Sequence, residues 1–332
     1  MSSGVCNHCY SEPLQRLTTD FAADSSFGNA QKKIKEHYGI DIPISGIRKT
    51  ALTHAQNMLE STLKELKSMK DVYSPRHRQK LKSGAKQIIT ETDGCMLPIV
   101  EVKKFAKDKR KKKNLVYKEA RLCLSYRDGD ITPIFAATMG DINLTGKYLR
   151  QTAEKSGLGI NTSIHAVGDG AQWIVKQLET KFGDITQVNY LIDLFHMSEY
   201  LSAANKVLTT DEKQQNKLIT KQIKLLKNNE YQKVLHYFEG YKDSEDDNAA
   251  KDCYRYMLNR PEQFNYKDAI ESELPIGSGK VEGGHRHVIQ SRLKISGAWW
   301  LKESADKMLA LRTNRINNEW DDYWENIKNQ DF

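Results

Sequence analysis

The feature that most constrains the fold is a pair of short apolar runs, one helix-length apart, each closed by an aspartate. Ser163-Ile-His-Ala-Val-Gly168 runs into Asp169, and Val188-Asn-Tyr-Leu-Ile192 runs into Asp193. Between them, Ala171 to Phe182 has helical spacing. Both aspartates should therefore project from the carboxyl ends of strands, the edge at which open α/β sheets place their sites. A third acidic cassette, Pro275-Ile-Gly-Ser-Gly-Lys-Val-Glu282-Gly-Gly, lies far downstream.

Strand signals also precede this unit. Gln87 to Asp93 is a β-prone run closed by Gly94, Arg121 to Tyr126 is a second, and Asp130 to Thr138 is a third. Asp128-Gly129 supplies a hairpin turn between the last two. With a helix over Asn143 to Gly157, the order becomes βββαβαβ, which fits an α/β fold with a mixed sheet of the ribonuclease H-like kind. Upstream, Gly28 to about His37 reads as a short basic helix stopped at Tyr38-Gly39, and Ser45 is placed to cap a second helix from Gly46 to about Met69. With Arg48 and Lys49 opening the second helix, the pair reads either as a helix-turn-helix or as a plain helical hairpin. Residues 71–84 are a polar connector. Beyond His196 the chain is rich in Lys, Gln, Asn and Glu with no convincing strand, and Asp243-Ser-Glu-Asp-Asp247 reads as a solvated loop. The expected organisation is an N-terminal helical region (1–80), the first part of a catalytic core (81–197), a helical insertion (198–274) and the remainder of the core (275–332).

A chain of 332 residues can bury a sizeable core, and its formal charge of +8 favours a polyanionic partner, nucleic acid above all. Five cysteines, three of them isolated, indicate a reducing compartment without a disulfide framework. Cys6-Asn-His8-Cys9 has the spacing of half a zinc site, but no second ligand pair is near, and free thiols are the simpler reading. No run approaches the roughly 20 apolar residues of a membrane span, and the start lacks a secretory layout. The expected location is cytoplasmic.

In a ribonuclease H-like sheet the first and fourth strands are neighbours, so Asp93 and Asp169 would nearly touch. Adjacent carboxylates repel unless a cation lies between them, and Mg²⁺ favours carboxylate and phosphate oxygens. A third acid, Glu282, would complete a site for a pair of ions acting on a phosphodiester. Taken singly, an Asp before Gly is usually a turn residue and a lone helical Glu is usually solvated. The run Lys103 to Lys113, with Lys109, Arg110, Lys111, Lys112 and Lys113 at its end, lies between the first two strands, where it could neutralise DNA phosphates. Trp299 and Trp300 could stack on an unpaired base or pack in the core.

Together Thr92-Asp93-Gly94, Val167-Gly-Asp169-Gly-Ala-Gln-Trp173, Asp193-Leu-Phe-His196 and Gly277-Ser-Gly-Lys-Val-Glu282 resemble the DDE transposases of bacterial insertion sequences, in the group related to Mutator-like elements. The resemblance runs from about residue 85 onward. It implies Asp93, Asp169 and Glu282 as the catalytic, metal-binding triad for Mg²⁺ or Mn²⁺, and Asp193 and His196 as the supporting D-x-x-H motif. Arg292-Leu-Lys294, Trp299-Trp300 and Leu311-Arg-Thr-Asn-Arg315 look like the family's C-terminal signature, so Arg292, Lys294 and Trp300 are expected beside DNA. The implied activity is cleavage at element ends and strand transfer into target DNA by a homo-oligomer. A ribonuclease H-like nuclease without strand transfer and a non-catalytic DNA-binding regulator are the alternatives.

Overall fold

The computed structural model describes residues 10–69, 82–102, 113–183 and 185–330. Its strands are β1 (Gln87–Val102), β2 (Lys113–Arg127), β3 (Ile134–Thr138), β4 (Ser163–Gly168) and β5 (Val188–Ile192), in one sheet of order β3-β2-β1-β4-β5. β1, β2 and β3 form an antiparallel meander, while β1, β4 and β5 are parallel. The expected βββαβαβ succession is present, with α4 (Ile142–Lys155) after β3 and α5 (Gln172–Phe182) between β4 and β5.

One boundary is corrected. β1 was expected to end at Asp93, but it runs on to Val102, still paired with β2. Gly94 is not a turn residue: it pairs with Arg121, and its missing side chain leaves the space filled by the Glu119 carboxylate. Pairing of β1 with β4 stops at Glu91–Val167 and that of β2 with β3 at Arg121–Thr138, so beyond Gly94 β1 and β2 continue as a two-stranded ribbon. Of the basic run at its tip, Lys113 is an exposed residue at the start of β2, whereas Lys109, Arg110, Lys111 and Lys112 lie outside the described residues. Cys6 and Cys9 lie outside them as well.

The period-two alternation of strands sorts side chains onto two faces. Ile88, Cys123, Ala136, Ile164 and Ala166 face a core completed by Tyr148, Leu149, Leu178 and Phe182 of α4 and α5. Ile89, Leu97, Ile99, Leu122, Leu124 and Ala137 face the opposite core. That second core is closed by the N-terminal helices α1 (Glu12–Asp24), α2 (Phe27–Tyr38) and α3 (Ile44–Ser68) together with the C-terminal segment. α2 is capped by Ser26, and it stops at Gly39, φ +67°, where the sequence placed its end. α3 begins at Ile44 after Pro43, with no side-chain cap from Ser45. It packs Ala55, Met58 and Leu59 onto the sheet, while Arg48 and Lys49 of its first turns are exposed.

The segment read as an insertion is built of helices joined by loops: α6 (Leu194–Leu208), α7 (Glu212–Lys227), α8 (Tyr231–His236), α9 (Ala249–Leu258) and α10 (Tyr266–Glu271). It has its own core around Leu201, Leu226, Phe238, Met257 and Phe264, and the acidic loop 243–247 is largely exposed. The chain then returns through a short helix α11 (Gly279–Gly284) and a π-helical turn (His285–Gln290) to α12 (Ser291–Leu293), α13 (Lys302–Ile316) and α14 (Trp320–Gln330). Among the described residues, no helix is long and apolar enough to cross a membrane.

Candidate active site

The site is built where the parallel pairing of β1, β4 and β5 ends. The β1–β4 register pairs Ile89 with His165 and Glu91 with Val167, so one further step of two residues sets Asp93 opposite Asp169. Partners in parallel strands project from the same face, and neighbouring strands lie about 4.8 Å apart, so this register carried past its last pair would root the two aspartates on adjacent strands. The β4–β5 register, with Gly168 opposite Ile192, likewise sets Asp169 opposite Asp193.

Each aspartate is held differently. Asp93 Oδ1 accepts from its neighbouring Gly94 N–H at 2.7 Å, and Oδ2 lies 3.2 Å from His285 Nε2. Burial would raise the Asp93 pKa, but the His285 cation and the Gly94 N–H outweigh it and hold the carboxyl below its usual value. His285 is buried, which disfavours its charge, yet Asp93 and the Cys95 thiol raise it to about 9, so the pair is charged at neutral pH. Asp169 Oδ1 accepts from Ala171 N–H at 2.8 Å. Its main chain is fixed by the insertion: Tyr256 Oη donates to Asp169 O at 2.6 Å, and Arg260 Nε donates to Gly170 O at 2.7 Å.

Asp193 is not aimed at the other two. Its Oδ1 accepts from Phe195 N–H at 2.6 Å and caps α6, and its Oδ2 accepts from Ser278 N–H at 2.8 Å and from the Ser278 hydroxyl. His196 is partly exposed, 3.6 Å from Glu199 Oε2 and edge-on to Tyr200, and it adds to the lowering of the Asp93 pKa. Glu282 lies on α11, where its Oε1 accepts from Arg286 at 2.6 Å and its side chain is 68% exposed. Its helix lies against β1: Val281 N–H donates to Glu91 Oε2 at 2.8 Å, and His285, three residues after Glu282, reaches Asp93.

By donor type these acids fit a hard divalent cation. As they stand they do not converge on one: among the described residues no three His, Cys, Asp or Glu side chains are grouped closely enough to hold an ion. Asp93 is paired instead with His285, and Glu282 with Arg286.

The expected DNA contacts divide. Lys294 is exposed and reaches the Cys95 thiol, two residues beyond Asp93 on the same face of β1. Arg292 and Trp300 are corrected to interior residues. The Arg292 Nε donates to Ala22 O at 2.8 Å, and its guanidinium lies 4.8 Å from the Trp300 ring. Trp300 is 6% exposed and donates its indole N–H to Leu293 O at 3.1 Å, whereas Trp299 is 63% exposed. Sequence reading missed Glu91 and His285, although the periods of strand and helix mark both. Glu91 precedes Asp93 by two, and His285 follows Glu282 by three.

No protein-family model matches the chain, and no curated protein matches it in sequence. Among solved structures it is similar to the Drosophila P element transposase strand transfer complex, at 12% identity and a TM-score of 0.33, over 98% of this chain and 82% of that one. A likeness this distant carries no argument about activity.

Proposed function

We propose that this chain is a DDE-type DNA transposase with a ribonuclease H-like core, which cleaves at the ends of a mobile element and joins them to target DNA. The observation that carries the reading is the β1–β4 register, whose last pair, Glu91–Val167, lies two residues before Asp93 and Asp169, with the helix bearing Glu282 against β1. The strand order, an antiparallel β1–β3 meander beside parallel β4 and β5, supports the core assignment. The motifs Val167 to Trp173, Asp193 to His196 and Gly277 to Glu282 support the enzyme class.

In this reading Asp93, Asp169 and Glu282 hold Mg²⁺ or Mn²⁺. The bound ions supply Lewis-acid polarisation of the scissile phosphate and activation of the attacking oxygen. Asp93 and Glu282 leave His285 and Arg286 to do so, and the Tyr256 and Arg260 bonds keep the Asp169 turn in place. Lys294, His196 and the basic run ending at Lys113 contact the DNA backbone, so binding weakens steeply with salt. Holding two ends together requires at least two copies of the chain.

End cleavage on labelled element termini, with and without divalent cation, tests the reading. Asp93→Asn, Asp169→Asn and Glu282→Gln should each lower cleavage by about 1000-fold, the several kcal/mol expected of an ion site, while DNA binding stays within about threefold. Wild-type cleavage by any of the three removes that residue from the triad. A joining assay with pre-cut ends separates a transposase from a nuclease that only hydrolyses.

A further inference from the structure

Glu91 is a buried carboxyl, 1% exposed, on the same face of β1 as Asp93. It has two partners, Val281 N–H on Oε2 at 2.8 Å and the Tyr126 hydroxyl on Oε1 at 3.3 Å. The residue before Val281 is tied down from the other side. Lys280 Nζ donates to the carbonyls of Asp130 and Ile131 at 2.9 and 3.2 Å and lies 3.5 Å from the centre of the Tyr126 ring. Two to five residues before Lys280, Asp193 holds Ser278 by its N–H and its hydroxyl, Leu194 N–H donates to Ile276 O at 3.0 Å, and His165 Nε2 lies 2.7 Å from Pro275 O. Every one of these ties comes from the sheet or its edge, and all fall on the segment that ends at Glu282.

We propose that Glu91 is a positioning residue, which fixes the backbone beside Glu282 against β1 and so sets where that acid meets Asp93 and Asp169, without itself touching the ion or the DNA. Asp193 is its counterpart at the start of the turn. Both oxygens of Glu91 are already engaged inside the protein, and its place in the last β1–β4 pair, opposite Val167, sets it two residues before Asp93 on the strand. The assignment rests on the proposed role of Glu282.

The test compares Glu91→Gln with Glu91→Ala. A glutamine keeps both bonds, its amide oxygen accepting from Val281 and its NH₂ donating to the Tyr126 oxygen, whereas alanine removes both. Expected for Glu91→Gln is cleavage and Mn²⁺ affinity, by titration calorimetry, within about threefold of wild type. In folded Glu91→Ala, cleavage at saturating DNA should fall by roughly 100-fold, the scale of an ångström-sized misplacement, with DNA affinity unchanged and Mn²⁺ affinity lowered. In a Glu282→Gln background, Glu91→Ala should lower Mn²⁺ affinity no further. A loss of activity of roughly 100-fold in folded Glu91→Gln would make Glu91 itself a ligand or proton carrier and overturn the proposal, and this arm decides even when Glu91→Ala does not fold. An additive loss of Mn²⁺ affinity in the double variant would overturn it as well. Failure of the transposase reading looks different. If wild-type protein cuts no ends, yet Glu282→Gln and Glu91→Ala weaken Mn²⁺ binding non-additively, the positioning role stands without that activity.

Discussion

Glu282 Oε1 and the Arg286 guanidinium lie 2.6 Å apart, one turn along the same helical segment, so the third acid of the candidate triad is turned along its own helix. Both side chains are more than two-thirds exposed, at 68% and 69%. An exposed i,i+4 pair is worth about 0.3–0.5 kcal/mol, far less than an ion ligand returns, so Arg286 is no barrier to Glu282 reaching the sheet edge. Arg286→Ala should therefore change Mn²⁺ affinity by less than about threefold and unfolding free energy by less than about 0.5 kcal/mol. A tightening of tenfold or more, measured by calorimetry, would mean that Arg286 holds the acid away.

The Asp169 turn depends on the insertion. Tyr256 Oη is the donor to Asp169 O, and Gly170, at φ +81°, packs against that same hydroxyl. Tyr256→Phe keeps the ring and leaves a carbonyl without this donor, a loss of about 1 kcal/mol. The expected outcome is a drop in end cleavage of about 5–10-fold at unchanged DNA affinity. Cleavage at the wild-type rate would show that the insertion does not support the acid.

The two adjacent tryptophans should behave oppositely. Trp300 is walled in by Phe27 and Arg292 and bridges its backbone to β1, with Val100 N–H donating to Trp300 O at 2.7 Å. Trp300→Ala should cost roughly 3–5 kcal/mol in urea unfolding. Trp299→Ala should fall within about 0.5 kcal/mol of wild type. Equal effects would contradict the placement of the pair.

Stability should also depend on pH through His54, which joins α3 to α1 and α14. Its Nδ1 lies 2.8 Å from Tyr323 Oη and its Nε2 lies 2.8 Å from Gln15 Oε1. Burial lowers its pKa from 6.5 to about 4, so between those values the unfolded chain binds the proton more readily than the folded one. The contribution is full above about pH 6.5 and is lost as pH falls towards 4, by up to roughly 3 kcal/mol. His54→Gln should flatten the unfolding free energy across that window. An unchanged slope would assign the acid sensitivity to other groups.

Much of the sheet was legible because it is written in local periodicity. β4, α5 and β5 fall within a residue or so of their expected spans, and Gly39 ends α2 as read. The end of β1 was misread because Gly94 serves a cross-strand neighbour, Glu119, which no local pattern announces. Arg292 was expected beside DNA, and Trp300 left between DNA and the core, for a similar reason. Their partners, Ala22 and Phe27, lie more than 260 residues upstream. An alternating backbone sends Trp299 out and Trp300 in, but which of the two goes inward is decided by packing alone. At the site, the sequence marked the acids at strand ends, while the cations paired with them, His285 and Arg286, became visible only once α11 and its π-helical continuation lay against β1.

The central claim is that Asp93 and Asp169 share an ion. Anomalous diffraction from crystals of the protein grown with Mn²⁺ tests it most directly. The expected result is a peak bound by oxygens of both aspartates at about 2.1 Å, with His285 displaced from Asp93 and Glu282 swung from Arg286. A fully ordered site with Asp93 still against His285 and no peak between the aspartates at millimolar Mn²⁺ would contradict the claim.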